Sequence, residues 1–307
     1  MTSRLYTMPH PSNSAISRSF AYQSQRSWSS WLWSAWLLVP QSLRYRTYCA
    51  LVRSFGKQQH MSPVYSLPLG IYVKFCRLPD EGLVMEYVRT RTTIPVPQVL
   101  DHITATVSFE PDNRMFILVM HALPGTPLFI QGEGSRLAHA TDEQRNLLET
   151  TIAEWISQLR ALPPPNPHLV SGFTGGPFIS YRIGDPPVGP FADVAEFHAQ
   201  PFCAVSTDDA DERIQSLVAE RAARKYYNHL THGDLLPHNI LTDHAYHPTG
   251  LIDWECAGWL PEYWELASST RAPFERMYIW RDMYPRCFPR YDDDLTLELH
   301  IQRYWDP

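Results

Sequence analysis

From Gln41 to Lys57 apolar residues fall at helical spacing. Tyr48, Leu51, Val52 and Phe55 form a stripe, with Arg44, Arg53 and Lys57 off it, which predicts a helix. Two short apolar runs follow, Val64–Leu67 and Ile71–Phe75, joined by Pro68-Leu69-Gly70, and read as strands around a turn. A second helix is predicted from Asp80 to Thr90, ended by extended chain at Pro95 and Pro97. Val99–Phe109 and Met115–His121 read as a hairpin turning at Glu-Pro-Asp-Asn-Arg. Beyond Gly125 the period changes. Thr141 and Gln144 make a capping-box pattern ahead of Leu147, Leu148, Ile152, Ile156 and Leu159. Prolines 163–165 stop that helix, and Ser171–Pro190 reads as a Gly/Pro-rich loop. Helices are expected near Ala192–Gln200 and over Asp211–Asn228.

A small strand-rich front part therefore precedes a larger, mostly helical back part, which is a two-lobed α+β plan. The expected divisions are residues 41–124 for the front lobe with its preceding helix and 125–307 for the back lobe. Residues 1–40 form an extension. Its first 27 residues are Ser-rich, poorly patterned and expected to be disordered, and an apolar patch from Trp28 to Val39 holds four tryptophans. That patch is too short to span a bilayer. Its Arg-bearing, acid-free setting leaves room for mitochondrial or membrane-associated targeting of an otherwise cytoplasmic protein.

The net charge of −6 conceals an asymmetry. Nine of the 26 basic residues precede Asp80, the first acidic residue, which leaves 17 basic against 32 acidic residues and a net charge of −15 beyond it. Such a body has no broad basic face, and nucleic acid is not its expected partner. Five scattered cysteines, none in a C-x-x-C pair, fit buried thiols in a reducing compartment.

The chemistry concentrates in Leu230-Thr-His-Gly-Asp-Leu-Leu-Pro-His-Asn-Ile-Leu241 and Gly250-Leu-Ile-Asp-Trp-Glu-Cys-Ala-Gly258. Asp234 and Asn239 stand five apart in a loop tightened by Gly233 and Pro237. Ile240-Leu241 leaves that loop as a strand, and Leu251-Ile252 returns to deliver Asp253. Two short strands joined in this way place Asp234, Asn239 and Asp253 around one cavity. Phosphoryl transfer needs that set: a carboxylate to orient and deprotonate an acceptor hydroxyl, and hard oxygen ligands for Mg2+.

His232-Gly-Asp234-x-x-x-x-Asn239 keeps the His, Asp and Asn spacing of the kinase catalytic loop, with Gly233 in place of Arg. Together with Ile252-Asp-Trp-Glu-Cys-Ala-Gly258 it resembles the aminoglycoside phosphotransferase and choline kinase-like family, whose fold resembles that of protein kinases. Tyr72-Val-Lys74, Glu81–Val88, Ile94-Pro-Val-Pro97 and Leu118–Gly125 resemble its front lobe in the right order. Gly189–Phe197 and Pro261-Glu-Tyr-Trp264 resemble versions common in fungi. The resemblance spans roughly residues 45–285. It implies an ATP- and Mg2+-dependent transfer to a hydroxyl of a small molecule. Asp234 would be the base, with His232 beside it as a loop-bracing member of the catalytic set. Asn239 and Asp253 would hold the metal. Lys74 would contact the α/β-phosphates, paired with Glu81, which shares a helix face with Val84, Met85 and Val88. The backbone near Met120, His121 and Leu123 would meet adenine.

Two other readings stand beside this one. No G-x-G-x-x-G precedes Lys74, and residues 61–75 offer about two strands where three are expected, so a degenerate kinase fold that only binds a nucleotide or ligand is the rival. His229, His232, His238, His244 and His247 crowd one region and raise a metal-dependent hydrolase, but H-E-x-x-H is absent. Gly233, with no A-P-E after Asp253, argues for a constitutive small-molecule enzyme over a regulated protein kinase.

Overall fold

The computed structural model describes residues 28–59, 63–106, 114–130, 133–206, 210–269, 278–288 and 290–305. The expected disorder of residues 1–27 and the expected turn around residues 110–113 lie outside them. The chain divides into two compact units, Met1–Val39 and Pro40–Pro307. In the first, helix α1 spans Trp28–Leu37, with Ser29, Ser30 and Ser34 set among tryptophans, leucines and an alanine. No helix among the described residues is long and apolar enough to cross a membrane.

In the second unit, α2 (Gln41–Phe55) starts after Pro40 and ends where the Gly56 N–H donates to the Val52 carbonyl. Of the apolar stripe only Tyr48 is fully buried, and Arg44 joins it, while Leu51 and Val52 are half-buried. Arg44 and Tyr48, one turn apart, are buried because both bind Asp101: Arg44 by an ion pair and the Tyr48 hydroxyl at 2.8 Å. Phe55 is 59% exposed. A buried charge is tolerated only with a partner of opposite sign, and Asp101 is 57 residues from Arg44 in sequence.

Gly56 leaves the helix in extended conformation. Lys57–Gln58 then form strand β1, antiparallel to β2 (Val64–Leu67), with Lys57 opposite Ser66. Here the expected helix to Lys57 is corrected, and the third strand of the front lobe is found. With β3 (Ile71–Cys76), β4 (Val99–Thr106) and β5 (Arg114–His121) it completes a five-stranded antiparallel sheet in the order β1-β2-β3-β5-β4. Helix α3 (Asp80–Arg91) buries Glu81, Val84, Met85 and Val88 on one face, with acids in its first turn and arginines in its last, as the macrodipole favours. Glu86, on another face, is exposed and pairs with Arg89.

The back lobe is built around α4 (Asp142–Arg160). The Thr141–Gln144 capping box is formed in both directions, and Leu148, Ile152, Trp155, Ile156 and Leu159 are buried. The stretch expected to be loop between Ser171 and Pro190 holds three short strands, Ser171–Gly172, Phe178–Ser180 and Gly184–Val188. The last expected helix runs only over Glu212–Ala223. Strand Asn228–Thr231 follows and pairs with Gly258–Pro261, Thr231 opposite Gly258. Strand Ile240–Thr242 pairs with Pro248–Leu251, Ile240 opposite Leu251. These two hairpin-like pairs carry the loops of interest.

Candidate active site

Strand Asn228–Thr231 runs directly into His232-Gly233-Asp234. Gly233 has φ +78, and a Cβ there would stand 2.3 Å from the Cys256 carbonyl oxygen, so only glycine fits without displacing backbone. The turn's N–H groups are met by Glu265, which no motif in the sequence marks. Its carboxylate accepts from the His232 N–H at 2.5 Å and the Gly233 N–H at 3.2 Å. Glu265 is buried in a short apolar helix, Trp264–Ser269, and a lone acid in that run was the available signal.

His232 is fully buried, edge-on to Trp254 with ring centroids 4.6 Å apart. Its Nδ1 accepts from the Asp234 N–H at 3.3 Å, so Nε2 carries the hydrogen and donates to the Ile252 carbonyl at 3.0 Å. Burial lowers its pKa to about 4, against the pull of Asp234 and Asp253, and the ring stays neutral. The imidazole thus ties the Asp234 loop to the residue preceding Asp253. Asn239 completes the loop. Its Nδ2 donates to both the carbonyl and Oδ2 of Asp234, each at 2.9 Å, and the Ile252 N–H donates to the Asn239 carbonyl at 3.0 Å. His238 Nε2 lies 3.5 Å from Asp234 Oδ2.

Asp253 occupies the left-handed region at φ +65, a conformation that costs of order 1 kcal/mol for a non-glycine residue and is sustained by its surroundings. Its Oδ1 lies 2.5 Å from Lys74 Nζ, across 179 residues of sequence. Lys74, on β3, is buried and also meets Glu81 at 2.9 Å and Glu255 at 3.1 Å. Burial opposes the ammonium charge, but Glu81, then Asp253 and Glu255, outweigh it and hold the pKa well above its usual value. Burial likewise raises Glu81 to about 7, while Lys74 keeps Asp253 below the ordinary range and charged. Glu255 stands in the Ile252–Gly258 motif, but only the fold reveals that it faces Lys74. Among the described residues, Glu81, Asp253 and Glu255 bring carboxylate oxygens within 4.8 Å of one another.

A cleft of about 550 Å³ opens over this cluster. Lys74, Glu81 and Asp253 line its polar end, and Met120, His121 and Leu123 line it where β5 passes into the back lobe. The N–H groups of His121 and Ala122 are used by Gln98 and Gly70 at 3.0 and 2.8 Å, so neither is offered to a ligand. Gln59 and Val64 also border the cleft. Residues 59–63, which join β1 to β2 in the sequence, contain no glycine. The histidines do not assemble: His229 bonds the Arg160 carbonyl, and His247 pairs with Asp243 at the surface.

A front-lobe lysine set against an acidic helix residue lines the same cleft as Asp253, and His232 ties the Asp234–Asn239 loop to the residue before Asp253, an arrangement that fits a phosphotransferase of protein-kinase-like fold. The chain belongs to the phosphotransferase enzyme family, whose family model matches residues 75–286, more than two thirds of its length. The solved structures agree on the fold. Aminoglycoside phosphotransferase APH(4)-Ia superposes with a TM-score of 0.52 at 17% identity, covering 83% of this chain and 87% of that one. The GDP and kanamycin complex of APH(2")-IIia gives 0.51 at 15%, over 83% and 87%. A thermostable APH(4)-Ia mutant in ternary complex with ADP and hygromycin B gives 0.51 at 16%, over 81% and 83%. No match is found among curated protein sequences.

The loop's dependence on Glu265 has a measurable pH signature. Burial, against the two N–H bonds, raises its pKa from 4.5 to about 7. The folded state then binds this proton more tightly than the unfolded chain. The associated stability is complete below about pH 4.5 and is lost as pH rises through about 7. Glu265→Gln removes that loss. In urea denaturation between about pH 5 and pH 8, wild type should lose stability relative to the variant. Parallel profiles would show that Glu265 is ionised throughout.

Proposed function

We propose that the protein moves the γ-phosphoryl group of ATP, with Mg2+, to a hydroxyl of a small molecule. The observation carrying this reading is that Lys74, Glu81 and Asp253 line one cleft together with His238 of the Asp234–Asn239 loop, which itself lies 3.5 Å from Asp234. The structures with ADP and with GDP are of relatives sharing this fold, and they favour a nucleotide in the cleft.

Lys74 presents its ammonium to the α/β-phosphates. Met120, His121 and Leu123 enclose the base, with the Leu123 N–H and the His121 carbonyl as its polar contacts. Asp234 orients the acceptor hydroxyl and takes its proton as the new oxygen–phosphorus bond forms and the bridging bond to the β-phosphate breaks. Asn239 Nδ2 holds Asp234 Oδ2 in place for that step. The donor set suits Mg2+: an ionised Asp253 carboxylate, 36% exposed at the cleft, and the Asn239 amide oxygen, since its nitrogen is committed to Asp234. Mg2+ there would neutralise phosphate charge. His232 positions the loop.

The test is a thermal shift with ATP, with and without magnesium, followed by an acceptor screen read as ADP release. The melting temperature should rise with ATP only when magnesium is present. ATP binding indifferent to magnesium would remove the metal assignment. A second reading, a binding-only kinase fold, is favoured by the glycine-free connection at residues 59–63. It takes over if ATP binds but no acceptor releases ADP above the Asp234→Asn background.

A further inference from the structure

Between strands Phe178–Ser180 and Gly184–Val188 the chain turns through Tyr181, Arg182 and Ile183. The first two side chains have different fates. Arg182 is buried: its Nη2 donates to Glu298 Oε2 at 2.7 Å and to the Phe202 carbonyl at 3.2 Å. Glu298 is shared with Arg221 at 2.8 Å, so this anchor is a buried, multiply bonded ion network. Tyr181, 52% exposed, instead donates its hydroxyl to Glu255 Oε1. The other oxygen of Glu255, Oε2, is the one facing Lys74 Nζ.

We propose that Tyr181 is a positioning residue for nucleotide binding: its hydroxyl fixes Glu255, and Glu255 fixes Lys74. This rests on the reading of Lys74 as the phosphate contact. Three carboxylates share the Lys74 ammonium, and they are not equivalent. Asp253 is the most exposed of them and is the one claimed by a cation in the proposed function. Glu81 and Glu255 are the tethers that remain when Asp253 turns away. A glutamate has three rotatable bonds, and ordering it has an entropic cost. Held at both oxygens, by Tyr181 and by Lys74, Glu255 has one orientation before any ligand arrives. The phenol stays protonated, because burial and then the neighbouring Glu255 charge push its pKa up. It therefore remains a donor. Arg182, fastened to Glu298, keeps the turn that carries Tyr181 in place.

The experiment is a double-mutant cycle on the full chain, with Tyr181→Phe, Glu255→Gln and the double variant. Calorimetry gives the Kd for ATP with magnesium, and the melting temperature without nucleotide is recorded for each. Tyr181→Phe should raise Kd by about threefold to tenfold, the span of one ordinary hydrogen bond, because the effect reaches Lys74 only through Glu255. The nucleotide-free melting temperature should stay unchanged, since the ring's packing is kept. In the Glu255→Gln background, Tyr181→Phe should add nothing, because its route to Lys74 is already cut. A wild-type Kd in Tyr181→Phe, or full additivity in the cycle, overturns the inference. Wild-type protein that fails to bind ATP at all overturns the proposed function instead.

Discussion

Asp234→Asn should lower turnover on the order of 10²-fold or more, the loss expected for a missing general base. ATP–magnesium affinity should stay nearly unchanged. Asparagine keeps the shape of the side chain and an oxygen for Asn239 Nδ2, now at 2.9 Å from Asp234 Oδ2, but it cannot take the acceptor's proton. Asp253→Asn should behave differently. Asp253 touches Lys74 and in the proposed function would hold the metal, so its loss should weaken both binding and turnover, because such a contact acts on ground state and transition state alike. Lys74→Ala should follow Asp253→Asn. The readouts are ADP release with the best acceptor from the screen and calorimetric Kd for ATP with magnesium. Equal losses of binding in Asp234→Asn and Asp253→Asn would contradict the separate roles given to them.

The second large effect is structural. Gly233→Ala should destabilise the folded chain by about 2–4 kcal/mol, combining a strained φ with overpacking against backbone. The added Cβ would meet the Cys256 carbonyl oxygen at 2.3 Å and the Cys256 carbonyl carbon at 3.0 Å. Neither can swing aside as a flexible side chain would. Relief requires the His232–Asp234 turn to move off Glu265 or the Asp253–Ala257 turn to shift, and either displaces a site residue. A melting temperature several degrees lower, with turnover lost more than proportionately, is the expected result in calorimetry and assay. A variant that melts and turns over like wild type would show that the turn has room. The sequence alone invites another account of Gly233, as the loss of a regulatory arginine. The structure adds a stronger steric one: glycine is the residue that fits.

The placement of much of the candidate site was legible because its signals are local. The five-residue spacing of Asp234 and Asn239, the return strand ending at Asp253, and the helical period that puts Glu81 with Val84, Met85 and Val88 all act within one or two turns of chain. The Thr141–Gln144 box is of the same kind, since both bonds close within four residues. Local spacing fixes which side chains share a face or a loop, and it does so before any tertiary contact forms.

What the fold decided depends on partners far along the chain. Lys57–Gln58 is a strand because β2 lies beside it, although helical periodicity runs to Lys57. Arg44 is buried because Asp101 is there to receive it, and no pattern around residue 44 announces a carboxylate 57 residues away. Glu265, Glu255 and Tyr181 read as ordinary helix, motif and loop residues. They gain meaning from the His232 and Gly233 N–H groups, from Lys74, and from each other, at separations of 33, 32 and 74 residues for the bonds that define them. Sequence period determines which face a residue is on; only tertiary packing decides what that face meets, and a charge can be buried only where its counter-charge has been delivered.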